Sequence, residues 1–285
     1  MPIHVCVTCG TAFPPSTTPP EACPICLDER QYVPPAGQGW TTSEELAASH
    51  ANRIERLEDN LYGIGTEPDF AIAQRALLIQ TPQGNVLWDC ISLLDEDTRA
   101  AVEGLGGIDA IAISHPHYYG NMVAWAHAFD APIHLHAAER AWVMDPDPMI
   151  RFWEDDSPDL PGGLSLIRLG GHFEGGQVLH WPQGAEGRGA LLAGDIVQVA
   201  ADRRWVSFMY SYPNYIPLPA SQVRHMGRAL ANLSFERLYG AWWDKVVEAD
   251  AHAAVQRSVA RYLDALDGCF SATRGGVLPA GASVG

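Results

Sequence analysis

Residues 111–121 read Ile111-Ala112-Ile113-Ser114-His115-Pro116-His117-Tyr118-Tyr119-Gly120-Asn121. The apolar residues from Ile108 to Ser114 predict a short buried strand that runs straight into a histidine pair. Two imidazoles one residue apart, in a loop just past a strand, can turn toward a single point. Two later segments are built the same way. In Leu169-Gly170-Gly171-His172-Phe173-Glu174-Gly175-Gly176 the glycines free the backbone on both sides of a third histidine, and Leu191-Leu192-Ala193-Gly194-Asp195 ends a buried strand in a carboxylate. Three histidines and one aspartate at strand ends form a donor set for a borderline metal ion, with room left for water.

Working outward, Ala71 to Ala73 and Arg75 to Gln80 are expected as strand, Pro82 to Asn85 as a hairpin turn and Val86 to Asp89 as the return strand, so that two antiparallel strands open the domain. Helices are expected at Asp95 to Gly104, Asn121 to Phe129, Ala220 to Leu233 and Glu248 to Leu266, the last closed by Gly268. Further strands are expected at Pro132 to His136, Leu164 to Leu169, Gln177 to His180, Ala190 to Ala193 and Arg237 to Gly240. Glycine (27) and proline (21) together exceed the usual share of about 12%. That favours a loop-built site on a sheet scaffold over a helical bundle.

Composition narrows the functions. The chain has 285 residues, 47% of them hydrophobic, enough for one large domain or a domain with a small appendage. Eighteen basic against 34 acidic residues give a formal charge of -16, which leaves no basic face for nucleic acid. No apolar run reaches the roughly 18 to 20 residues of a membrane span. The start, Met1 to Cys9, lacks the basic and apolar pattern of a secretory signal, so a cytoplasmic protein is expected.

Four of the six cysteines fall in the first 26 residues, as Cys6-Val7-Thr8-Cys9 and Cys23-Pro24-Ile25-Cys26. Each C-x-x-C pair can form a tight knuckle whose two thiolates face one centre, and zinc fits four such ligands best, with iron a lesser alternative. The segment resembles a zinc ribbon. Its four-cysteine ion is expected to be structural, because no coordination position stays open and so short a segment cannot fold on apolar burial alone. The division expected is a zinc-ribbon-like segment at 1–40, a connecting helix at 41–59 opened by capping boxes from Thr41 and Thr42 to Glu44 and Glu45, a main domain at 60–269 and a flexible tail at 270–285.

The order His115-x-His117, then Gly171-His172, then Gly194-Asp195 resembles the metallo-β-lactamase superfamily, whose motif after a strand is H-x-H-x-D-H followed by G-H and G-D. The likeness covers roughly residues 60 to 268. It implies an α+β fold, a four-layer αββα sandwich with the site at one edge of the sheets, and hydrolysis by metal-bound hydroxide as the commonest activity. By it, His115, His117 and His172 match the first metal site and Asp195 the aspartate that normally bridges two metals. The chain departs from the pattern where the motif carries Asp and His, since it has Tyr119 and Gly120. It departs again where a late strand usually supplies a last histidine and this chain reads Gly240-Ala241-Trp242-Trp243. The second metal site is therefore largely gone.

The resulting expectation is one zinc or iron ion on His115, His117, His172 and Asp195, with Asp195 and Tyr119 as the catalytic side chains. The activity expected is hydrolysis of a small ester, thioester or lactone. Two alternatives stay open: iron-dependent oxidation of a small molecule, as in persulfide dioxygenases of the superfamily, and a silent module whose ribbon docks a protein. A homo-oligomer is left open as well. Glu174 is a further candidate acid or base. Trp205, Phe208, Met209, Tyr210, Tyr212 and Tyr215 either cover core or face the site, with Trp242 closing one wall if they do. His134 and His136 are expected on a sheet surface, and Cys90 as a small buried hydrophobe.

Overall fold

The computed structural model of this chain describes residues 1–269, and the tail expected at 270–285 lies outside the described residues. At the amino terminus β1 (His4–Cys6) pairs antiparallel with β2 (Trp40–Thr42), and the chain between them carries the helical turn α1 (Pro24–Leu27). The helix α2 (Ser43–Ser49) then starts on a full capping box: the Thr42 hydroxyl accepts from Glu45 N–H, and the Glu45 carboxylate accepts from Thr42 N–H.

The connecting helix expected to reach residue 59 stops at Ser49. From Ala51 the chain is strand, β3 (Ala51–Glu58), turned through Asp59-Asn60 into β4 (Leu61–Glu67). Asn60 takes φ 66°, which asparagine tolerates, and a two-residue hairpin results. Two glycines hid β4 from the sequence reading. A Cβ on Gly63 or Gly65 would lie 2.7 or 2.9 Å from the Trp243 ring, so both positions must stay bare for that indole to lie against the strand. This hairpin, and not Arg75 onward, opens the sheet. Ala71 to Ala73 is also corrected from strand to turn, with Ala71 and Ala73 both at positive φ.

The first sheet continues with β5 (Arg75–Ile79), β6 (Val86–Trp88), β7 (Ala110–Ala112), β8 (Ile133–His136) and β9 (Ile150–Trp153), seven strands in sequence order with β6 to β9 parallel. Its helices are α3 (Glu96–Gly104), whose cap Asp95 accepts from Thr98 N–H at 2.8 Å, and α4 (Met122–Phe129). The second sheet takes β10 (Ser165–Arg168), β11 (Gln177–Trp181), β12 (Ala190–Gly194), β15 (Arg237–Gly240) and β16 (Val246–Val247) in that order. Between them lie the left-handed turn α5 (Gly184–Gly187), the small pair β13 (Gln198–Val199) and β14 (Val206–Ser207), and α6 (Ala220–Leu230); α7 (Ala251–Leu266) follows.

Alternation along the strands sorts the core into layers. Leu77, Trp88 and Ala112 of the first sheet pack with Leu179, Leu192 and Tyr239 of the second. The intervening Leu78, Leu87 and Ile111 pack with Val102 of α3 and with Met122 and Trp125 of α4. On the far side Val178, Leu191 and Leu238 pack with Val223 and Met226 of α6 and Val255 of α7. Each large side chain so buried is worth about 1.5–3 kcal/mol. The order is helix, sheet, sheet, helix, the αββα sandwich that the histidine motifs imply. Because β7 and β12 both end at the same edge, the loops after them meet there.

Candidate metal centre

Three loops bring the histidines together. His115 caps the short 3-10 turn Pro116–Tyr118 after β7, His172 follows Gly170 and Gly171 at φ 66° and 92°, and Asp195 follows Gly194 at φ 55° beyond β12. Gly194 must be bare, since its Cβ would sit 2.6 Å from the Ser114 hydroxyl. That contact draws the ends of the two sheets together. Asp89, also at positive φ, fixes the other side: its carboxylate accepts from Ser114 N–H at 2.7 Å.

The imidazoles are oriented by what they leave free. The Tyr210 carbonyl can only accept, so His172 Nδ1 carries the proton and donates to it. His172 Nε2 is thus a bare lone pair, 3.1 Å from His117 Nδ1. Ser114 Oγ lies 3.0 Å from His115 Nδ1, which turns His115 Nε2 inward. That nitrogen lies 3.2 Å from Asp195 Oδ1, yet neither atom has an aligned hydrogen bond. Two more buried atoms, His117 Nε2 and the Tyr118 hydroxyl, are likewise unpartnered.

Buried polar atoms without partners are costly, and here two of them, His115 Nε2 and Asp195 Oδ1, face each other beside the other two imidazoles. Ligand atoms around a tetrahedral ion with bonds of about 2.0–2.1 Å stand roughly 3.3 Å apart. Both short separations match. Burial holds His115 and His117 well below the ordinary imidazole range and His172 down to about 4, so all three are neutral, the form that ligates. It also pushes the Asp195 carboxyl up to about 7, a cost that a cation beside it would reverse. The residues present therefore fit one metal ion. The three histidines offer ligand atoms within 4.8 Å of one another, and Asp195 reaches the group through His115.

The tyrosine expectation shifts by one residue. Tyr119 packs into the helical layer and lines a small cavity with Ala12 and Met122. Tyr118 is the ring against His115, at 4.6 Å between centroids, and lies within reach of Asp195. In a 3-10 turn successive side chains point about 120° apart, so neighbouring tyrosines cannot both face the centre. Glu174 is exposed, and only its carbonyl is engaged, by Arg168. The aromatic loop divides: Phe208 and Met209 are core, while Tyr210 holds His172 and Tyr212 stacks on Trp242, whose ring meets Tyr118 edge-on. His136 serves its own turn, accepting from Ala138 N–H.

Position 120, where the motif has its last histidine, is closed. A Cβ on Gly120 would meet the Ile91 backbone at 2.6 Å, and Ala12 of the ribbon donates its N–H to the Gly120 carbonyl at 2.9 Å. The ribbon thus docks over position 120.

The other cluster is the four cysteines. Cys6 Sγ and Cys26 Sγ are 3.7 Å apart, as are Cys9 Sγ and Cys23 Sγ. Four sulfurs about 2.3 Å from a tetrahedral zinc stand roughly 3.8 Å apart, far beyond a disulfide bond. All four sulfurs lie within 4.8 Å of one another and are buried in the same apolar cluster as Tyr119 and Met122. Among the described residues no helix is long and apolar enough to cross a membrane.

Comparison with known proteins agrees with this fold. A family model described as the metallo-beta-lactamase superfamily matches residues 71–242. The chain is 52% identical to the uncharacterized protein YmaE of Bacillus subtilis (strain 168) over 269 residues, which is 94% of this chain and 98% of that protein. Among solved structures, metallo-beta-lactamase SMB-1 superposes with a TM-score of 0.51 at 19% identity, covering 72% of this chain and 92% of that one. VMB-1 gives a TM-score of 0.56 at 14% identity, covering 75% and 98%. At such identities the structures speak for the fold alone.

Proposed function

The chain belongs to the metallo-beta-lactamase superfamily, and from that premise we propose that it is a metal-dependent hydrolase of a small ester, thioester or lactone, working with a single ion. One observation carries this reading: three buried, neutral imidazoles offer ligand atoms within 4.8 Å of one another, and beside them His115 Nε2 and Asp195 Oδ1 face each other at 3.2 Å with no hydrogen-bond partner. His115, His117, His172 and Asp195 would hold the ion. A metal ion supplies Lewis acidity there, polarising a carbonyl and lowering the pKa of water toward roughly 7.

The chain's own residues do the rest. Ser114 and Tyr210 lock two imidazoles with one nitrogen inward, so the donor set is formed before any ligand arrives. Asp195 is placed to accept a proton from an attacking water. The Tyr118 hydroxyl stays protonated, because burial pushes it well above its ordinary range, and it can donate to a developing oxyanion. Trp242 and Tyr212 shield the centre from bulk water.

Elemental analysis of protein purified without added metal should find about two ions per chain. His115→Ala with His117→Ala should remove one, keep the cysteine-bound one and abolish turnover on a panel of esters, thioesters and lactones. Unchanged stoichiometry sinks the proposal. Ferrous iron suits the same donors; oxygen uptake in place of ester cleavage would select the oxidation chemistry.

A further inference from the structure

The ribbon does more than pack against the sandwich. Past α1 its chain runs Asp28-Glu29-Arg30-Gln31-Tyr32 along the loop that holds His172, and the Tyr212 N–H donates to the Arg30 carbonyl at 3.0 Å. A cavity of about 610 Å³ lies in this seam, between Glu29, Gln31 and Tyr32 on one side and Tyr212, Tyr215 and Ile216 on the other.

Its lining is unusual for a surface. Tyr32, Tyr215 and Ile216 are 53%, 86% and 39% exposed, and these large apolar side chains gather at one groove. Glu29 is the one charged residue lining it; the Tyr210 hydroxyl lies within hydrogen-bond reach of its carboxylate, and it forms no ion pair among the described residues. The nearby cation is spoken for: Arg30 is held in a two-pronged bond by Asp28, lies over Phe173 and is not among the residues lining the groove. Tyr212 forms the inner wall, and from it Trp242, Tyr118 and His115 follow in contact.

We propose that this groove binds the apolar or aromatic part of an amine-bearing substrate, with Glu29 facing the ammonium group. The substrate class rests on the hydrolase reading, whereas the groove and its preference for cations do not. The formal charge of -16 favours the same sign of ligand.

The test uses the full chain with its metals, titrated with 2-phenylethylamine and with the neutral 2-phenylethanol while tryptophan fluorescence is followed. The amine should bind about fivefold more tightly. Glu29→Gln should bring the two within about twofold and leave the alcohol unchanged, whereas Ile216→Ser should weaken both about threefold or more. Equal binding in the unaltered protein, or a preference that survives Glu29→Gln, overturns the proposal. Amine-selective binding without turnover of any ester keeps the groove and overturns the hydrolase. Turnover whose KM ignores both the amine and Glu29 overturns the groove and keeps the hydrolase.

Discussion

The cysteine cluster and the histidine cluster solve the same problem in opposite ways. Four sulfurs come from two turns within residues 6–26 and close on one another, with Gln38 donating to Cys6 Sγ at 3.2 Å. The histidines and Asp195 come from three loops across residues 115–195 and leave lone pairs, a carboxylate oxygen and a tyrosine hydroxyl unanswered. A closed ligand set can only hold the fold. An open one, bought with unsatisfied buried atoms, can take something else in, and that difference separates a structural ion from a chemical one.

The comparison breaks most visibly at the cysteines. Cys23→Ser should remove one ion and, because the knuckle shares an apolar cluster with Tyr119 and Met122, cost about 4 kcal/mol or more. The melting temperature should fall by roughly 10 °C in calorimetry. A fall of less than about 2 °C would mean that the knuckle is not structural.

The two clusters were not equally legible. The C-x-x-C pairs lie close in the chain, so ligand spacing alone located them. His115 and His117 share that advantage, but His172 and Asp195 join them only through the packing of two sheets, and it was the order of motifs, a family likeness, that linked them. The αββα layers followed from the same likeness. What was missed is instructive. The β3–β4 hairpin turns on Asp59-Asn60 and contains glycines reserved for Trp243, so neither alternation nor propensity marks it. The motif aligns position 119 and not 118 with a ligand, while the 3-10 turn Pro116–Tyr118 decides which ring faces inward. The ribbon's docking on Gly120 had no sequence signal at all.

Two glycines sharpen the contrast between the regions. Gly120, beside the histidines, has φ 51° and backbone where a Cβ would go, whereas Gly37, in the ribbon, has φ 93° and open space. Gly120→Ala should cost about 2–4 kcal/mol from strain and overlap together. Gly37→Ala should cost about 1 kcal/mol from strain alone. Urea denaturation of both variants checks this, and equal losses would contradict the closure at position 120.

The tyrosine pair gives a smaller effect, read in rate. Tyr118→Phe removes a hydroxyl within reach of Asp195 and should lower kcat about 10- to 100-fold with both ions retained. Tyr119→Phe should leave kcat within about twofold, since its hydroxyl lies in the helical layer. Steady-state kinetics on any hydrolysed ester decides between them, and a reversal would restore Tyr119 to the site.

The smallest effect tests how the open region tolerates buried charge. Glu139 is 2% exposed; one carboxylate oxygen accepts from Gly175 N–H on the His172 loop and the other has no partner. Burial pushes its carboxyl up from 4.5 to about 7, against the pull of Arg30. Between those values the folded protein holds a proton that the unfolded chain has lost, so stability falls as pH rises through that window and levels off above it. The shift corresponds to an upper bound of about 3 kcal/mol, which local relaxation reduces to about 1–2. Glu139→Gln, neutral throughout, should therefore gain about 1–2 kcal/mol on the unaltered protein between pH 5 and pH 8. Any constant offset from its new amide drops out of that difference. Urea titrations at the two pH values measure it, and parallel curves for the two proteins would show that Glu139 titrates as it does in water.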